Sequence, residues 1–453
     1  MGEFAVVREA RAALLAGGMS EHEAERKEAL FYKAAAGLRK LADIGDDAVF
    51  RIWVPGRIEF LGKHTDYAGG RSLLCAAERG ICVAATARRD NVLRVQDAVS
   101  GDVVECSLGD RAVGASTLVS GGWSPYVHAV AARVARNFGA PLRGADVVVA
   151  SDLPQAAGMS SSSALMVAIF LALSRANDLQ SRAEYRRAIR NCEQLAEYLG
   201  TIENGQSFGE LDGELGVGTF GGSEDHTAIL CARAGTLLQY AFCPVRLERT
   251  VSFPKDHALV VATSGVAAEK TGAVRERYNR LSTMVREVLE QWQSTTGGQY
   301  PSLGAAINAS PDAAERIRRM LRGDAPKLAR FEHFLLESNT FVPAAADALV
   351  RNDLGKLGTI VDRSQKAAEE LLGNQIQETI FLARSARELG AVAASAFGAG
   401  FGGSVWALVA DAEASTFQER WGETYVSRFP VAAEKAEILV TRPGPPVVEG
   451  TAK

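Results

Sequence analysis

The sequence predicts a mixed α/β (α+β) fold in two domains, on three observations. The chain has 453 residues, enough for two or three domains with a large core. Its first half alternates apolar runs of strand length with helical stretches. Its second half opens with one strand, turns strongly helical and returns to strands near the end. Between residues 145 and 173 an apolar strand run, a Gly- and Ser-rich loop and an apolar helix follow one another directly.

Residues 1–19 carry little signal. Ser20-Glu21-His22-Glu23 has capping-box spacing and predicts a helix to about Ala42. Ala48 to Val54 alternates and then fills with apolar residues, which predicts a strand. It feeds Pro55 to Gly70, a loop dense in glycine and functional side chains. Strands are expected over 72–76, 80–88, 92–97 and 102–107. Ser124-Pro125 opens a helix with a capping hydroxyl and Pro at the first position, and Gly139 ends it. The strand at 145–150 and the helix at 164–173 come next. A second long helix is expected from Arg182 to Tyr198, closed by Gly200. Residues 201–222 form a Gly-rich acidic insertion with Glu203, Glu210, Asp212 and Glu214, read as a solvated loop. Thr227 to Cys231 and Leu237 to Phe242 are expected to pair as a hairpin that closes a first domain spanning 20–247.

The second domain is expected over 248–441. It begins with the strand Ala258 to Thr263. Helices follow at about 272–293, 311–321, 325–337, 341–351, 355–371 and 375–389. Strands near 391–396, 404–410 and 436–441 and a helix over 414–425 complete it. The tail 442–453, RPGPPVVEGTAK, is expected to be disordered.

Composition narrows the function. Hydrophobic residues make up 47% and charged residues 23%, as in ordinary soluble globular proteins. A net charge of −4 gives no electrostatic support for a nucleic-acid partner. No apolar run reaches 18 residues and no leader pattern opens the chain, so no membrane association and a cytoplasmic location are expected. The six cysteines show no CxxC spacing and are expected to be reduced.

Three stretches carry chemistry. In Leu153 to Leu165, LPQAAGMSSSSAL, Pro154 ends the strand and Gly158 lets the backbone pass close to a ligand. Ser160, Ser161, Ser162 and Ser163 then fall on the first turn of a helix. Free N–H groups and the helix dipole suit a phosphate chain there, and a hydroxyl can ligate Mg²⁺. One serine would serve as an N-cap; four in a row exceed that need. Gly398-Ala399-Gly400-Phe401-Gly402-Gly403 matches the dinucleotide fingerprint G-x-G-x-x-G, but a strand pattern follows where that fingerprint needs a helix. It reads instead as a tight turn between strands. In the 57–70 loop, Arg57, Lys63, His64 and Asp66 form a polar set suited to a polyhydroxylated ligand, and Tyr67 could wall a pocket.

Together these stretches resemble the GHMP kinases, and within them the galactokinases. Gly56-Arg57 through Gly70 match the signature GR-x-x-x-x-G-E-H-T-D-Y-x-G-G except at Lys63. The serine stretch matches P-x-x-x-G-L-S-S-S-A, with Met159 for Leu and with Ala156 and Ala157 where small glycines are usual. Gly398 to Gly403 match the C-terminal GAGFGG motif, and Gly122 to Val127 resembles the segment leading to the first helix. The resemblance runs from about residue 45 to residue 441. It implies a two-domain GHMP-kinase-type fold with the active site in the interdomain cleft. It also implies an ATP- and Mg²⁺-dependent transfer of the γ-phosphate to the anomeric (C1) hydroxyl of a monosaccharide, by a monomer or homodimer.

The resemblance also implies roles. Gly158, the four serines and Gly400 would bind the nucleotide. Ser162 and Glu197 would ligate Mg²⁺. Asp225 would orient and deprotonate the attacking hydroxyl, and Arg57 would hold the phosphoryl group and keep Asp225 ionised. Lys63, His64, Asp66, Gly222 and Gly272 would line the sugar site. Three departures bear on substrate. Lys63 replaces a Glu, Gly272 stands where a Tyr packs on the sugar, and 201–222 lengthens the gap between Glu197 and Asp225. A cationic Lys63 admits an alternative, a uronic-acid or other anionic-sugar 1-kinase. A second alternative is a non-catalytic sugar and ATP sensor, against which the presence of Ser162, Glu197 and Asp225 speaks.

Overall fold

The computed structural model describes residues 2–42, 48–109, 122–154, 157–267 and 272–450. Two helices lead the chain, α1 (Gly2–Ala16) and α2 (Glu21–Leu41). The first sheet then forms from β1 (Phe50–Leu61), β2 (Arg71–Ala87), β3 (Val92–Asp97), β4 (Val103–Ser107) and β5 (Ala145–Ser151). Helix α3 (Ser124–Phe138) precedes β5. After β5 come α4 (Ser161–Ala176), α5 (Ala183–Ala188), α6 (Cys192–Asn204) and α7 (Glu224–Cys231), and then the hairpin β6 (Thr236–Ala241) and β7 (Arg246–Ser252).

The second half begins with β8 (His257–Thr263). Helices α8 (Gly272–Thr296), α9 (Leu303–Asn308), α10 (Ala313–Met320), α11 (Ala325–Leu336), α12 (Val342–Val350), α13 (Leu354–Ala367) and α14 (Gln377–Glu388) follow. The chain closes with β9 (Ala393–Phe397), β10 (Ser404–Ala410), α15 (Ala414–Arg428), α16 (Pro430–Ala433), β11 (Ile438–Thr441), β12 (Pro443–Gly444) and β13 (Val448–Gly450).

Two sheets organise these elements. One has nine strands and runs β13-β1-β2-β5-β3-β4 along its main path, with β6, β7 and β12 joined through β2. The other has four strands in the order β11-β8-β10-β9. Every residue of β1 is buried, as befits a strand covered on both faces. The cores of the two sheets are continuous. Phe60 of β1 stacks on Trp406 of β10 with centroids 4.1 Å apart and planes 17° apart.

The structure corrects several expectations. The strands expected at 72–76 and 80–88 are one long β2. The second long helix is broken, because Ile189 is extended and Asn191 caps a new helix by accepting the Gln194 amide. The segment read as one strand of a hairpin, Thr227 to Cys231, lies in α7; a short apolar run does not by itself distinguish strand from helix. The expected boundary near 248 falls inside β7, which stays in the nine-stranded sheet. The tail is ordered as far as it is described. Pro443 pairs with Ala77, and Val448 with Trp53, so backbone hydrogen bonds to sheet edges hold a sequence that composition marks as loose. Residues 451–453 and Ala156 lie outside the described residues.

Candidate active site

Two loops, strand β1 and the start of α7 meet at one end of the cleft. The first leads from β5 into α4. Ser160 takes a left-handed conformation (φ 61°, ψ 39°) and makes no capping bond, so the first turn of α4 keeps outward N–H groups. Ser160 Oγ is buried without a hydrogen-bond partner among the described residues. An orphaned hydroxyl beside unpaired amides is a donor set that fits a phosphate chain. Ser163 faces the other way and donates to Glu203 Oε2 and Asp225 Oδ2, each at 3.3 Å. Two carboxylates with a hydroxyl between them are hard oxygen ligands of the kind Mg²⁺ takes.

Arg57 and Glu59 stand on β1, which runs on to Leu61 through the first part of the stretch expected as a loop from Pro55, and Glu224 and Asp225 open α7. Arg57 Nε donates to Asp225 Oδ1 at 2.7 Å, and its Nη1 donates to the Gly158 carbonyl at 2.7 Å. Burial works against the guanidinium charge, but Asp225, Glu224 and Glu59 outweigh it and hold its pKa above the ordinary value. Glu59 and Glu224 line the same cleft. Burial pushes Glu59 up to about 7, although Arg57 and Lys63 oppose it. Burial, with Glu59 and Asp66 close by, raises Glu224 well above the carboxylate range. The cleft thus holds more acid than base.

The sugar-loop residues close the pocket. His64 bridges two loops, with Nδ1 2.8 Å from the Tyr67 hydroxyl and Nε2 3.0 Å from the Ala399 carbonyl. Asp66 Oδ2 accepts the Glu224 amide at 3.2 Å. Gly222 is required there, since a Cβ would lie 2.5 Å from Asp66 Oδ2. Arg57, His64, Asp66, Gly222 and Asp225, all expected in the site, line this one cleft.

Other expectations are corrected. Glu197 lines a different pocket on the far side of the Gly221–Ser223 turn, where it accepts the Val245 amide and burial raises its pKa. The cleft carboxylate of α6 is Glu203. Six residues at about 100° each put it on another face from Glu197. Glu203 belongs to the segment read as a solvated loop, yet it is buried in the last turn of α6. Ser162 is half-buried and makes no side-chain hydrogen bond among the described residues; Ser163 is the serine that meets the acids. Lys63 is not in the cleft. It is 1% exposed, with Nζ donating to Ser395 Oγ at 2.8 Å and Ser364 Oγ at 3.3 Å. Ser364 in turn donates to Glu337 at 2.7 Å. Gly400 packs on the protein itself: a Cβ there would lie 2.4 Å from the Asn374 carbonyl oxygen and Nδ2.

Sequence reasoning missed Glu59, Glu203, Glu224 and Tyr278. Glu59 signals itself as a lone charge in the apolar run Ile58 to Leu61. Gly272 is the first residue of α8, and the aromatic group comes six residues later. Tyr278 lines the cleft and tilts against His64 with centroids 5.2 Å apart. No sequence signal separates it from the other residues of a long amphipathic helix.

Three family profiles match the chain: the galactokinase galactose-binding signature over 43–87, the GHMP kinases N terminal domain over 125–206, and the GHMP kinases C terminal domain over 345–427. A galactokinase of Roseiflexus sp. (strain RS-1) is 30% identical over 386 residues, covering 82% of this chain and 86% of that protein. A galactokinase of Lactococcus lactis subsp. cremoris is 28% identical over 408 residues, covering 88% and 94%. The crystal structure of Lactococcus lactis galactokinase complexed with galactose superposes with a TM-score of 0.73 at 24% identity, over 91% of this chain and 99% of that one. The crystal structure of L. major mevalonate kinase in complex with R-mevalonate shares the fold more distantly, with a TM-score of 0.52, 15% identity and coverage of 87% and 95%. On its sequence and its fold, this chain belongs to the galactokinase family of the GHMP sugar kinases.

Proposed function

We propose that this protein is an ATP- and Mg²⁺-dependent sugar 1-kinase acting on a neutral monosaccharide. The observation that carries the proposal is the Arg57–Asp225 pair at 2.7 Å, set between the Gly158–Ser163 loop and the His64–Asp66 loop. Asp225 accepts the proton of the anomeric hydroxyl, whose oxygen bonds to the γ-phosphorus while the bridging oxygen leaves with ADP. Arg57 keeps Asp225 ionised and faces the charge that builds on the transferring group. The amides and hydroxyls at the start of α4 hold the phosphate chain. Glu203 and Ser163, with Asp225 beside them, hold Mg²⁺, which when bound neutralises phosphate charge. His64, Asp66 and Tyr278 orient the sugar.

The position of Lys63 supports a neutral sugar over an anionic one. Its ammonium points into a serine pocket, while Asp66 and Asp225 face the cleft and would repel a uronate. The test is an ATP-consumption screen over free hexoses, pentoses, uronic acids and amino sugars, with phosphorus NMR of the product. ADP release with a neutral sugar and an anomeric phosphate ester is expected. Tight ATP binding with no turnover on any sugar would overturn the kinase and leave the sensor.

A further inference from the structure

Helices α6 and α7 pack side by side and carry the proposed metal ligand and base at one end, Glu203 and Asp225. A second cluster forms at the other end. Cys192 is the first residue of α6 and Cys231 the last of α7. Their sulfurs and a carboxylate oxygen of Glu193 all lie within 4.8 Å of one another. Cys192 Sγ is 3.3 Å from Glu193 Oε2. Cys192 is exposed and Cys231 is buried. Along the helix axes, Cys192 is roughly 16 Å from Glu203 and Cys231 about 9 Å from Asp225, so this cluster is separate from the active site.

We infer that Cys192, Glu193 and Cys231 form a binding site for a thiophilic divalent cation of the zinc class. Zinc takes tetrahedral sulfur, nitrogen and oxygen ligands, with Zn–S near 2.3 Å and Zn–O about 2.0–2.2 Å. Those lengths separate two sulfurs by about 3.8 Å and a sulfur from an oxygen by about 3.6 Å. The side chains already stand near that spacing. Solvent reaches Cys192 and supplies the fourth ligand. Binding the cation as thiolates releases the thiol protons to solvent, which reaches Cys192. A disulfide between the same sulfurs would leave Glu193 without a role. The cation would staple the start of α6 to the end of α7.

The full chain, reduced and stripped of metal, is titrated with Co²⁺ as the probe. One equivalent should give a thiolate-to-cobalt charge-transfer band in the near ultraviolet, which Zn²⁺ displaces. Cobalt in the oxygen-ligated active site gives no such band. Cys192→Ser and Cys231→Ser should each abolish the band, and Glu193→Gln should weaken cobalt binding. Because Cys231 is buried and its variant could fail to fold, the exposed Cys192→Ser carries the test alone if necessary. Its kcat should equal that of the parent. Absence of the band in folded protein overturns the site, as does a Cys192–Cys231 disulfide formed with glutathione disulfide in protein that shows no cobalt band.

Discussion

Two buried charge clusters flank the strand that leads into the serine loop, and they differ in balance. At the α2 end, Lys27 Nζ sits 2.6 Å from Glu23 and 2.5 Å from Asp152, and Arg79 approaches the same two carboxylates at 3.8 and 3.7 Å. Arg26 also reaches Glu23 at 3.6 Å and buried Glu78 lies beside Glu23 and Lys27, so cations and anions match in number, and Asp152 accepts the Gly80 amide with its second oxygen at 2.8 Å. At the cleft end, Glu59, Glu203, Glu224 and Asp225 share the space with Arg57. The balanced cluster is complete without a ligand and joins α2, β2 and the end of β5. The acid-rich cluster favours protons or added cations, which the proposed Mg²⁺ would supply.

The largest expected effect falls on the balanced side. Lys27→Ala takes the nearest cation from buried Glu23 and half-buried Asp152, leaves them only the longer contacts to Arg79 and Arg26, and should cost up to about 3–5 kcal/mol of stability, read as a lowered denaturation midpoint. The folded fraction should keep its kcat; a midpoint shift within error would show that solvent already screens this cluster. On the acid-rich side the order reverses. Asp225→Asn should lower kcat at least ~100-fold while the fold and ATP binding persist, because the amide keeps the shape and loses the proton acceptor. Near-normal turnover would remove Asp225 from the chemistry.

Magnesium titrations sharpen the comparison within α6. Glu203→Gln should raise the Mg²⁺ needed for half-maximal rate by roughly tenfold, since a carboxylate brings charge to a hard cation and an amide only a dipole. Glu197→Gln should leave that requirement unchanged. The reverse pattern would restore Glu197 to the metal site. The smallest effect concerns Glu59. Burial raises its folded pKa to about 7 from 4.5, so the native state binds a proton that the unfolded chain releases. Its stabilising contribution is full below pH 4.5 and is lost as pH rises to about 7. Glu59→Gln should flatten that slope, measured as the change in denaturation midpoint between pH 5 and pH 7.5. An unchanged slope would mean Glu59 is ionised throughout.

How much of this was legible in the sequence varies by region. The serine loop could be read because its chemistry is local: a strand, a turn and a helix start within twenty residues fix where the amides point. Arg57, His64, Asp66 and Asp225 were legible as motif residues, and the structure brings them into one cleft. Of the strand pair expected at 227–242, the second strand is β6 but the first is helix α7, because a short apolar run satisfies either periodicity. Tail order was invisible because Pro443 and Val448 are held by edges of β1 and β2, far away in sequence.

The sequence alone determined the fold class and marked the three stretches that meet at the cleft, since each depends on residues near one another along the chain. Only the tertiary structure decided which carboxylates share the cleft and where Lys63 points. Glu203 and Glu197 differ by a rotation about one helix, and Lys63 is claimed by serines on α13 and β9, about three hundred residues away. Side-chain direction and long-range partners are properties of packing, and packing is set by the whole chain at once.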